Sequence, residues 1–350
     1  MKKLWMFLLT LMVFSSLWAW NSFHLAKKMP SEFRIVFYNV ENFFHPDNDP
    51  NKQDDDFTTF GKLNWDTIRY QKKLENIAKV LNSIQENKII PFIGLCEIEN
   101  RKVLEDLLTL PEMNNKNYAI LHKDSPDERG IDVAMLYRES SFRPMATEWL
   151  TINLPGPKID STRDILYVKG KLMSDTIHVF INHWPSRKEG KDLSEPKRIA
   201  ASALLVNRIN DINIQNPNAK IIVMGDFNDE PTNKSISTIL NARYTINSAI
   251  KNNWLYNMMY EPFRAGIGSY YYQGSFDLFD QIIVSNDLLE SESKGIVCRS
   301  KQGSIYFPDW LCFIDSKSGD KKPNRTYAGT KYYGGFSDHF PVYIDLKMNW

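Results

Sequence analysis

Eight short apolar segments, each followed by polar, glycine or proline residues, are the feature that most constrains how this chain folds. They are rich in β-branched and aromatic residues, which is typical of strands. Residues 66–84 carry Leu74 and Leu81 on one helical face, and a second helix is expected to begin at Ser194, with Pro196 in its first turn. The predicted strands are residues 33–38, 89–95, 131–137, 165–170, 177–182, 221–224, 281–285 and 340–346. This alternation predicts a fold that mixes α and β elements.

The N-terminal segment, residues 1–28, differs from the rest of the chain. Two lysines precede an apolar run at residues 4–20, which is the layout of a secretory signal peptide. Cleavage after Ala19 and retention as a membrane anchor are both open, because about 17 apolar residues is close to the minimum for a bilayer span. Either outcome predicts a secreted, periplasmic or outer-envelope protein that contacts a membrane only through this segment. Residues 31–350 contain no evident linker, which predicts one domain.

Charge and cysteine content limit the classes of partner. The formal net charge is +1, so the whole protein has no general attraction for an anionic polymer, and phosphate binding would need a local patch and a metal ion. The three cysteines lack the spacing of a zinc site. In an exported protein Cys298 and Cys312 could form a disulfide, whereas Cys96 lies within an apolar run and is expected to be buried.

An acidic segment at residues 46–57 interrupts the pattern of strands and helices. It contains five aspartates, among them Asp49 and Asp54. The ordinary interpretation of such a run is a solvated loop, and a structural Ca²⁺ site is the alternative.

Polar residues at the ends of the predicted strands carry the functional signal. One such residue alone is most simply a turn residue or a structural histidine. Together they match what phosphodiester hydrolysis requires: carboxylates for Mg²⁺ or Mn²⁺, a carboxylate for the attacking water, amides for phosphate oxygens and histidines for developing charge. The residues are Asn39, Glu41, Glu97, His183, Asp226, Asn228, Asp280, Asp338 and His339.

The order of these motifs resembles that of the endonuclease/exonuclease/phosphatase superfamily, which includes deoxyribonuclease I. The likeness covers about residues 33–346. It implies an α/β (α+β) fold, a four-layer α/β/β/α sandwich of two packed mixed sheets, with residues 31–350 as the catalytic domain. The motifs are Asn39-Val40-Glu41-Asn42, Glu97, Asn182-His183, Gly225-Asp226-Phe227-Asn228, Asp280-Gln281-Ile282 and Ser337-Asp338-His339.

The resemblance also implies a role for each residue. Glu97 would be the main metal ligand, with Glu41 and Asp338 near the ion. The residues that handle phosphate and the nucleophile would be Asn39, Asp226 and Asn228. A phosphate-facing histidine, His339, would pair with Asp280.

A histidine at position 183 resembles the deoxyribonuclease I-like branch. That likeness implies a second carboxylate–histidine pair, Glu128 with His183, and two arginines directed toward substrate, Arg129 and Arg163. Several motifs also resemble secreted bacterial nucleases, among them Tyr38–Phe44.

These observations favour an exported, divalent-metal-dependent phosphodiesterase that is a non-specific endonuclease hydrolysing DNA, with RNA as a further possible substrate. A phosphatase or phospholipase of the same superfamily, acting on inositol phosphates or sphingomyelin, is the alternative, and a catalytically inactive binding module is a more remote one. No protein partner is implied.

Overall fold

Two mixed β-sheets lie at the centre of the fold. The computed structural model describes residues 31–156, 161–245, 255–289, 294–316 and 319–350. The predicted signal or anchor at residues 1–28 lies outside these residues. Within the part described, no helix is long and apolar enough to cross a membrane. Residues 32–350 form one compact unit.

The first sheet is built around a parallel pair, β1 and β2, and antiparallel strands flank it on both sides. Its strand order is β13-β19-β1-β2-β4-β3, and β14 also pairs with β19. The strands are β1 (Glu32–Phe43), β2 (Phe92–Ile98), β3 (Tyr118–His122), β4 (Asp132–Arg138), β13 (Gly295–Cys298), β14 (Ser304–Ile305) and β19 (Val342–Asn349).

The second sheet repeats this plan, because β7 and β8 form its parallel pair. Its strand order is β5-β6-β7-β8-β12-β9. The strands are β5 (Phe142–Leu150), β6 (Ile165–Leu172), β7 (Asp175–His183), β8 (Lys220–Asp226), β9 (Tyr256–Asn257) and β12 (Asp280–Val284).

Three apolar clusters define the layers. One contains residues of both sheets, including Phe37 and Met224, and forms the central core. A second packs the first sheet against α1 and α2, and a third packs the second sheet against α4. The helices are α1 (Thr67–Ser83), α2 (Arg101–Thr109), α3 (Pro111–Asn114), α4 (Lys191–Gln215) and α5 (Tyr260–Arg264). Helices therefore cover the outer faces of two packed sheets, and the predicted four-layer sandwich is confirmed.

Three small hairpins stand apart from the large sheets. They pair β10 with β11, β15 with β16 and β17 with β18. Their strands are β10 (Tyr270–Tyr272), β11 (Ser275–Asp277), β15 (Cys312–Ile314), β16 (Lys321–Pro323), β17 (Tyr327–Ala328) and β18 (Lys331–Tyr332). Two of these hairpins lie in the long loop before β19.

The sequence pattern placed most strands correctly but ended several too early. β1 runs to Phe43, and β8 runs to Asp226, so the polar motifs lie within the strand ends. The reason is that ladder pairing continues there, since His183 still pairs with Asp226. β3 and β5 were not predicted, because their residues are largely exposed or half-buried and give a weak apolar signal.

One local prediction was wrong, and the structure decides against the Cys298–Cys312 disulfide that the sequence left open. Helix α4 begins at Lys191 with Gly190 before it, so Ser194 is inside the helix, where its hydroxyl donates to the carbonyl of Gly190 at 2.6 Å. All three cysteines are free. Cys298 belongs to the core between the sheets and Cys312 to the cluster on the other face of the first sheet, so they cannot form a disulfide.

Candidate active site

A carboxylate–histidine pair forms at the edge where both sheets present their polar ends. Asp280 begins β12, and its Oδ2 lies 2.6 Å from Nδ1 of His339, which precedes β19. Burial alone would lower the pKa of His339, but the negative charges of Asp280, Asp226 and Asp338 outweigh it and raise that pKa well above its ordinary value. The pair that the resemblance implied is therefore present, and its imidazole favours the protonated form.

Asp226, the last residue of β8, lies between two histidines. Its Oδ2 is 3.8 Å from Nε2 of His339 and 3.8 Å from Nε2 of His183. The other oxygen accepts a hydrogen bond from the backbone N–H of Asn228 at 2.9 Å. Burial raises the pKa of Asp226 to about 6, although the charge of His339 acts against this. A carboxylate with such a pKa can accept a proton near neutral pH.

Asn39 joins the two sheets at the site. Its amide nitrogen donates to Oδ2 of Asp226 at 3.0 Å and to Oε1 of Glu97 at 3.2 Å. The other oxygen of Glu97 accepts a hydrogen bond from the backbone N–H of Asn42 at 2.7 Å. One neutral amide thus fixes a carboxylate from each sheet without adding charge.

Several of these residues have a backbone conformation that is uncommon for non-glycine residues. The φ angles are positive at Glu41 (52°), Asn42 (47°), Glu97 (63°) and Asn228 (49°). Such left-handed residues are uncommon in ordinary strands and concentrate at functional sites. At these positions they let the strand ends bulge, and the pairing of β1 with β2 shifts register between Asn39 and Phe43.

The second predicted pair, Glu128 with His183, is wrong. Glu128 is exposed, and Nδ1 of His183 is buried without a hydrogen-bond partner among the described residues. Burial, helped by the positive charges of Arg163 and Arg129, lowers the pKa of His183 well below its ordinary value. His183 reaches the site, with its Nε2 4.0 Å from Oε1 of Glu97, but as a neutral ring.

The two predicted substrate arginines differ in position. Arg163 is buried, and its guanidinium donates to Asp127 at 3.1 Å and to the carbonyl of Trp184 at 2.7 Å. The structure therefore places Arg163 within the protein, where it supports the backbone next to His183. The side chain of Arg129 is 47% exposed and lies 3.8 Å from Asp127, so it stays accessible.

Two of the predicted metal ligands, Asp338 and Glu41, differ in their exposure and contacts. Asp338 is partly exposed, accepts a hydrogen bond from Arg325 at 3.0 Å and lies 3.9 Å from Nε2 of His339. Glu41 is buried instead, and its oxygens accept the backbone N–H groups of Thr326 and Tyr327 at 2.6 and 3.2 Å. These contacts make Glu41 an anchor for the long loop, and they occupy both of its oxygens.

Some residues of the site were not identified from the sequence. Ser269 donates to Asp280 at 2.5 Å, and the Tyr270 ring lies 4.7 Å from the His339 ring. Lys73 is buried on α1, 4.0 Å from Glu41, and donates to Thr326 and Phe336. Its position four residues before Ile77, on the apolar face, was a signal that this lysine is buried.

The donor set fits a divalent cation. Glu97 and Asp338 are carboxylates at one cleft, and oxygen donors are what Mg²⁺ and Mn²⁺ prefer. Burial raises the pKa of Asp338, and the negative charge of Glu97 raises it further, against the effects of His339 and Arg325. A cation held by Glu97 and Asp338 would relieve this repulsion.

A family model described as "Endonuclease/Exonuclease/phosphatase family" matches residues 34–348. No individual curated protein matches the sequence at a significant level.

Solved structures share the fold at low identity. An endonuclease/exonuclease/phosphatase family protein from Bacteroides thetaiotaomicron has 13% identity and a TM-score of 0.54, over 92% of this chain and 100% of that one. Caenorhabditis elegans TDP2 has 13% identity and a TM-score of 0.54, over 91% and 98%. The mannosyl-6-phosphatase Bt3783 of B. thetaiotaomicron has 15% identity and a TM-score of 0.54, over 90% and 99%. With the family model matching nearly the whole described body, the chain belongs to the endonuclease/exonuclease/phosphatase family of metal-dependent hydrolases that act on phosphoester bonds.

Proposed function

We propose that this protein is an exported nuclease that depends on Mg²⁺ or Mn²⁺ and hydrolyses phosphodiester bonds in DNA, and in RNA as a further substrate. The observation that carries the proposal is the convergence of the Asp280–His339 pair, Asp226 and the carboxylate of Glu97 on one cleft. This set can activate water and stabilise a phosphate in the same place.

The residues divide the work by charge. His339, held by Asp280, keeps a proton on Nε2 and presents positive charge to a phosphate oxygen or to the leaving oxygen. Asp226 takes a proton from the attacking water, and Asn39 keeps that carboxylate in position. Asn228 is fixed by its amide, which donates to the carbonyl of Trp184 at 3.0 Å. His183, whose pKa burial lowers, contributes a neutral ring with its Nε2 3.8 Å from Asp226.

Glu97 and Asp338 would hold the metal ion. When bound, the ion supplies positive charge that neutralises the phosphate and the leaving oxygen. We assign no such role to Glu41, because its side chain is more buried than that of Glu97, anchors the long loop and already lies 4.0 Å from the ammonium group of Lys73.

A nucleic acid is favoured over a phosphomonoester by the surroundings of the site. Tyr270, Tyr271, Arg325 and Lys322 place aromatic rings and positive charges beside Asp338, and this combination suits a strand with alternating bases and phosphates. A TDP2 structure of similar fold from D. rerio is described in complex with a single-strand DNA product. The mannosyl-6-phosphatase is equally similar in fold, so a sugar phosphate belongs among the substrates tested.

Export is part of the proposal and is supported by the apolar run at residues 4–20. Cell fractionation tests it. A mature N-terminus near residue 20 would indicate cleavage, and an intact Met1 in membranes would indicate an anchor. A full-length product in the cytoplasm would contradict export.

A substrate panel tests the reaction. Purified protein with Mg²⁺ or Mn²⁺ is given duplex DNA, single-stranded DNA, RNA, mannose 6-phosphate, inositol phosphates and sphingomyelin. We expect cleavage of nucleic acid that stops with a chelator. Glu97→Gln, which keeps the shape and removes the charge, should lose most activity, with the exposed Glu112→Gln as the matched control. Activity confined to a phosphomonoester or a phospholipid would overturn the nuclease assignment.

A further inference from the structure

A pocket of about 220 Å³ lies beside the catalytic cleft. Asp338 lines it, and the same side chain is 3.9 Å from Nε2 of His339. Arg325 also lines it and donates to Asp338 at 3.0 Å. The pocket is therefore adjacent to the residues that are expected to handle phosphate.

The remaining walls of the pocket are mainly aromatic. Tyr271 comes from β10, Phe313 from β15 and Tyr333 from the segment after β18. Phe313 and Tyr333 are 50% and 49% exposed, so packing of the core does not explain them. Lys322, also in the wall, lies 4.4 Å from the centre of the Tyr271 ring.

This composition selects a flat aromatic ligand with an attached anion. Aromatic rings and a guanidinium plane stack on bases. Lys322 and Arg325 stand beside these rings, each paired with a carboxylate, Asp315 at 2.8 Å and Asp338 at 3.0 Å. A saturated lipid chain would not need a guanidinium group among the rings, and inorganic phosphate would not need three rings. Successive side chains of a strand point to opposite faces. In β10, Tyr270 therefore contacts the catalytic His339, whereas Tyr271 lines the pocket.

We propose that this pocket binds one unpaired nucleobase of the nucleotide next to the phosphate being cut. This proposal rests on the proposed nuclease function and adds to it a preference for unpaired bases. A base that stacks there has to leave a duplex, so the enzyme prefers single-stranded nucleic acid or strand ends.

The test uses two oligonucleotides that share a backbone. One carries bases throughout, and the other has a run of abasic tetrahydrofuran residues at its centre. The double variant Phe313→Ala/Tyr333→Ala removes two exposed rings, and Phe60→Ala, at 99% exposure in another loop, is the control. Stacking contributes roughly 1–3 kcal/mol per base, so kcat/KM on the base-containing strand should fall about 5- to 150-fold in the double variant. Cleavage at the abasic run should be unchanged.

Equal losses on both strands, or no loss on either, would overturn the pocket proposal while leaving the nuclease function in place. If the wild type cuts neither strand but hydrolyses another phosphoester, the nuclease function fails first, and the pocket proposal fails with it.

A second and independent observation concerns the acidic loop. Asp54 is 1% exposed. Its Oδ2 accepts the backbone N–H of Asp49 at 2.9 Å, whereas its Oδ1 has no hydrogen-bond partner within the described ranges. Glu99 is also buried, and one of its oxygens accepts the backbone N–H of His45 at 2.5 Å.

Oδ1 of Asp54 is therefore a buried carboxylate oxygen without a donor in the part of the chain that the structure describes, and the same loop carries Asp49, whose backbone the other oxygen of Asp54 holds. A buried carboxylate oxygen that lacks a hydrogen-bond donor is costly unless a cation binds it, because the charge has lost its hydration. An irregular loop rich in oxygen donors suits the larger and more flexible coordination of Ca²⁺.

We infer that Asp54 is a ligand of a structural Ca²⁺ ion that fixes the acidic loop. Thermal unfolding and calorimetric titration with CaCl₂, after removal of metal ions with EDTA, test this. Ca²⁺ should bind and raise Tm by several degrees in the wild type and in Glu97→Gln, which separates this site from the catalytic ion. Asp54→Asn should abolish the shift, and Asp55→Asn, an exposed neighbour, should keep it. No heat and no Tm shift with Ca²⁺ would overturn the site.

Discussion

The two histidines of the active site face the same oxygen from the same distance and yet differ in charge. Each Nε2 is 3.8 Å from Oδ2 of Asp226, and both rings are buried. Behind His339 lies the carboxylate of Asp280, which raises the pKa of that ring against the effect of burial. Behind His183 the inner nitrogen has no partner in the described structure, and burial with nearby arginines lowers the pKa.

The difference shows that a residue's place in the cleft does not set its chemistry. A buried imidazole is protonated only where a buried carboxylate supports it. The site is therefore asymmetric, with positive charge on the β12–β19 side and a neutral hydrogen-bonding ring at the end of β7.

The largest expected effect comes from removing the support of His339. Asp280→Asn keeps the size of the side chain and removes its charge, so the pKa of His339 falls. We expect kcat to fall by roughly 10² to 10⁴. The activity that remains should decline at a lower pH than in the wild type, and a pH–rate profile measures this. A profile unchanged on the alkaline side would contradict a protonated His339.

A smaller loss is expected on the other side of the cleft. His183→Asn replaces a neutral ring with a neutral amide and costs about one hydrogen bond, or roughly tenfold in kcat. Single-turnover rates of this variant and of His339→Asn, measured at one metal concentration, make the comparison. Equal losses in the two variants would show that the histidines carry the same charge.

Stability should depend on pH with opposite signs for the two rings. The folded pKa of His339 is raised above the unfolded value of about 6.5, so its contribution is present below that pH and is lost as pH rises through the folded pKa. The folded pKa of His183 is lowered, so the unfolded chain binds more protons just below pH 6.5, and stability is lost as pH falls there.

Urea unfolding in EDTA, repeated at several pH values on both sides of pH 6.5, gives the free energy of unfolding of each histidine variant. Its difference from the wild type at each pH measures the contribution of that histidine. His183→Asn should remove part of the acid-side loss, and His339→Asn part of the alkaline-side loss, each by at most about 1.4 kcal/mol per pH unit. If His183→Asn changes only the alkaline side, the neutral state assigned to that ring is wrong.

The sequence predicted the asymmetric site only in part. Strand periodicity located Asn39, Glu97 and Asp226, because residues at strand ends are positioned by the sheet itself. The resemblance supplied Asp280 as the partner of His339, and Asp280 begins a strand paired in register with β8, so its direction is also fixed by the ladder.

Residues in loops were harder to predict, because the sequence does not show which of two adjacent turn residues faces inward. Of the pair Asp127 and Glu128, the structure buries Asp127 and exposes Glu128. Arg163 was expected to reach substrate, but a buried Asp127 draws its guanidinium inward. Glu41 lies in a strand-end motif, yet a loop almost 300 residues later in the chain occupies its oxygens.

The smallest expected effect tests the contrast between Glu128, which is exposed, and its neighbour Asp127, which is buried. Glu128→Gln should change kcat and KM by less than about twofold, because an exposed carboxylate without a contact to His183 contributes little. Asp127→Asn is the matched variant. Asp127 holds Arg163, and Arg163 donates to the carbonyl of Trp184, the residue after His183, so loosening this chain should displace the ring and lower kcat several-fold. Since the charge of Arg163 also opposes protonation of His183, a guanidinium that moves away should raise the pKa of that histidine, which NMR titration of the ring can follow. A large loss in Glu128→Gln with little change in Asp127→Asn would restore the carboxylate–histidine pair expected from the sequence and remove the difference between the two sides of the cleft.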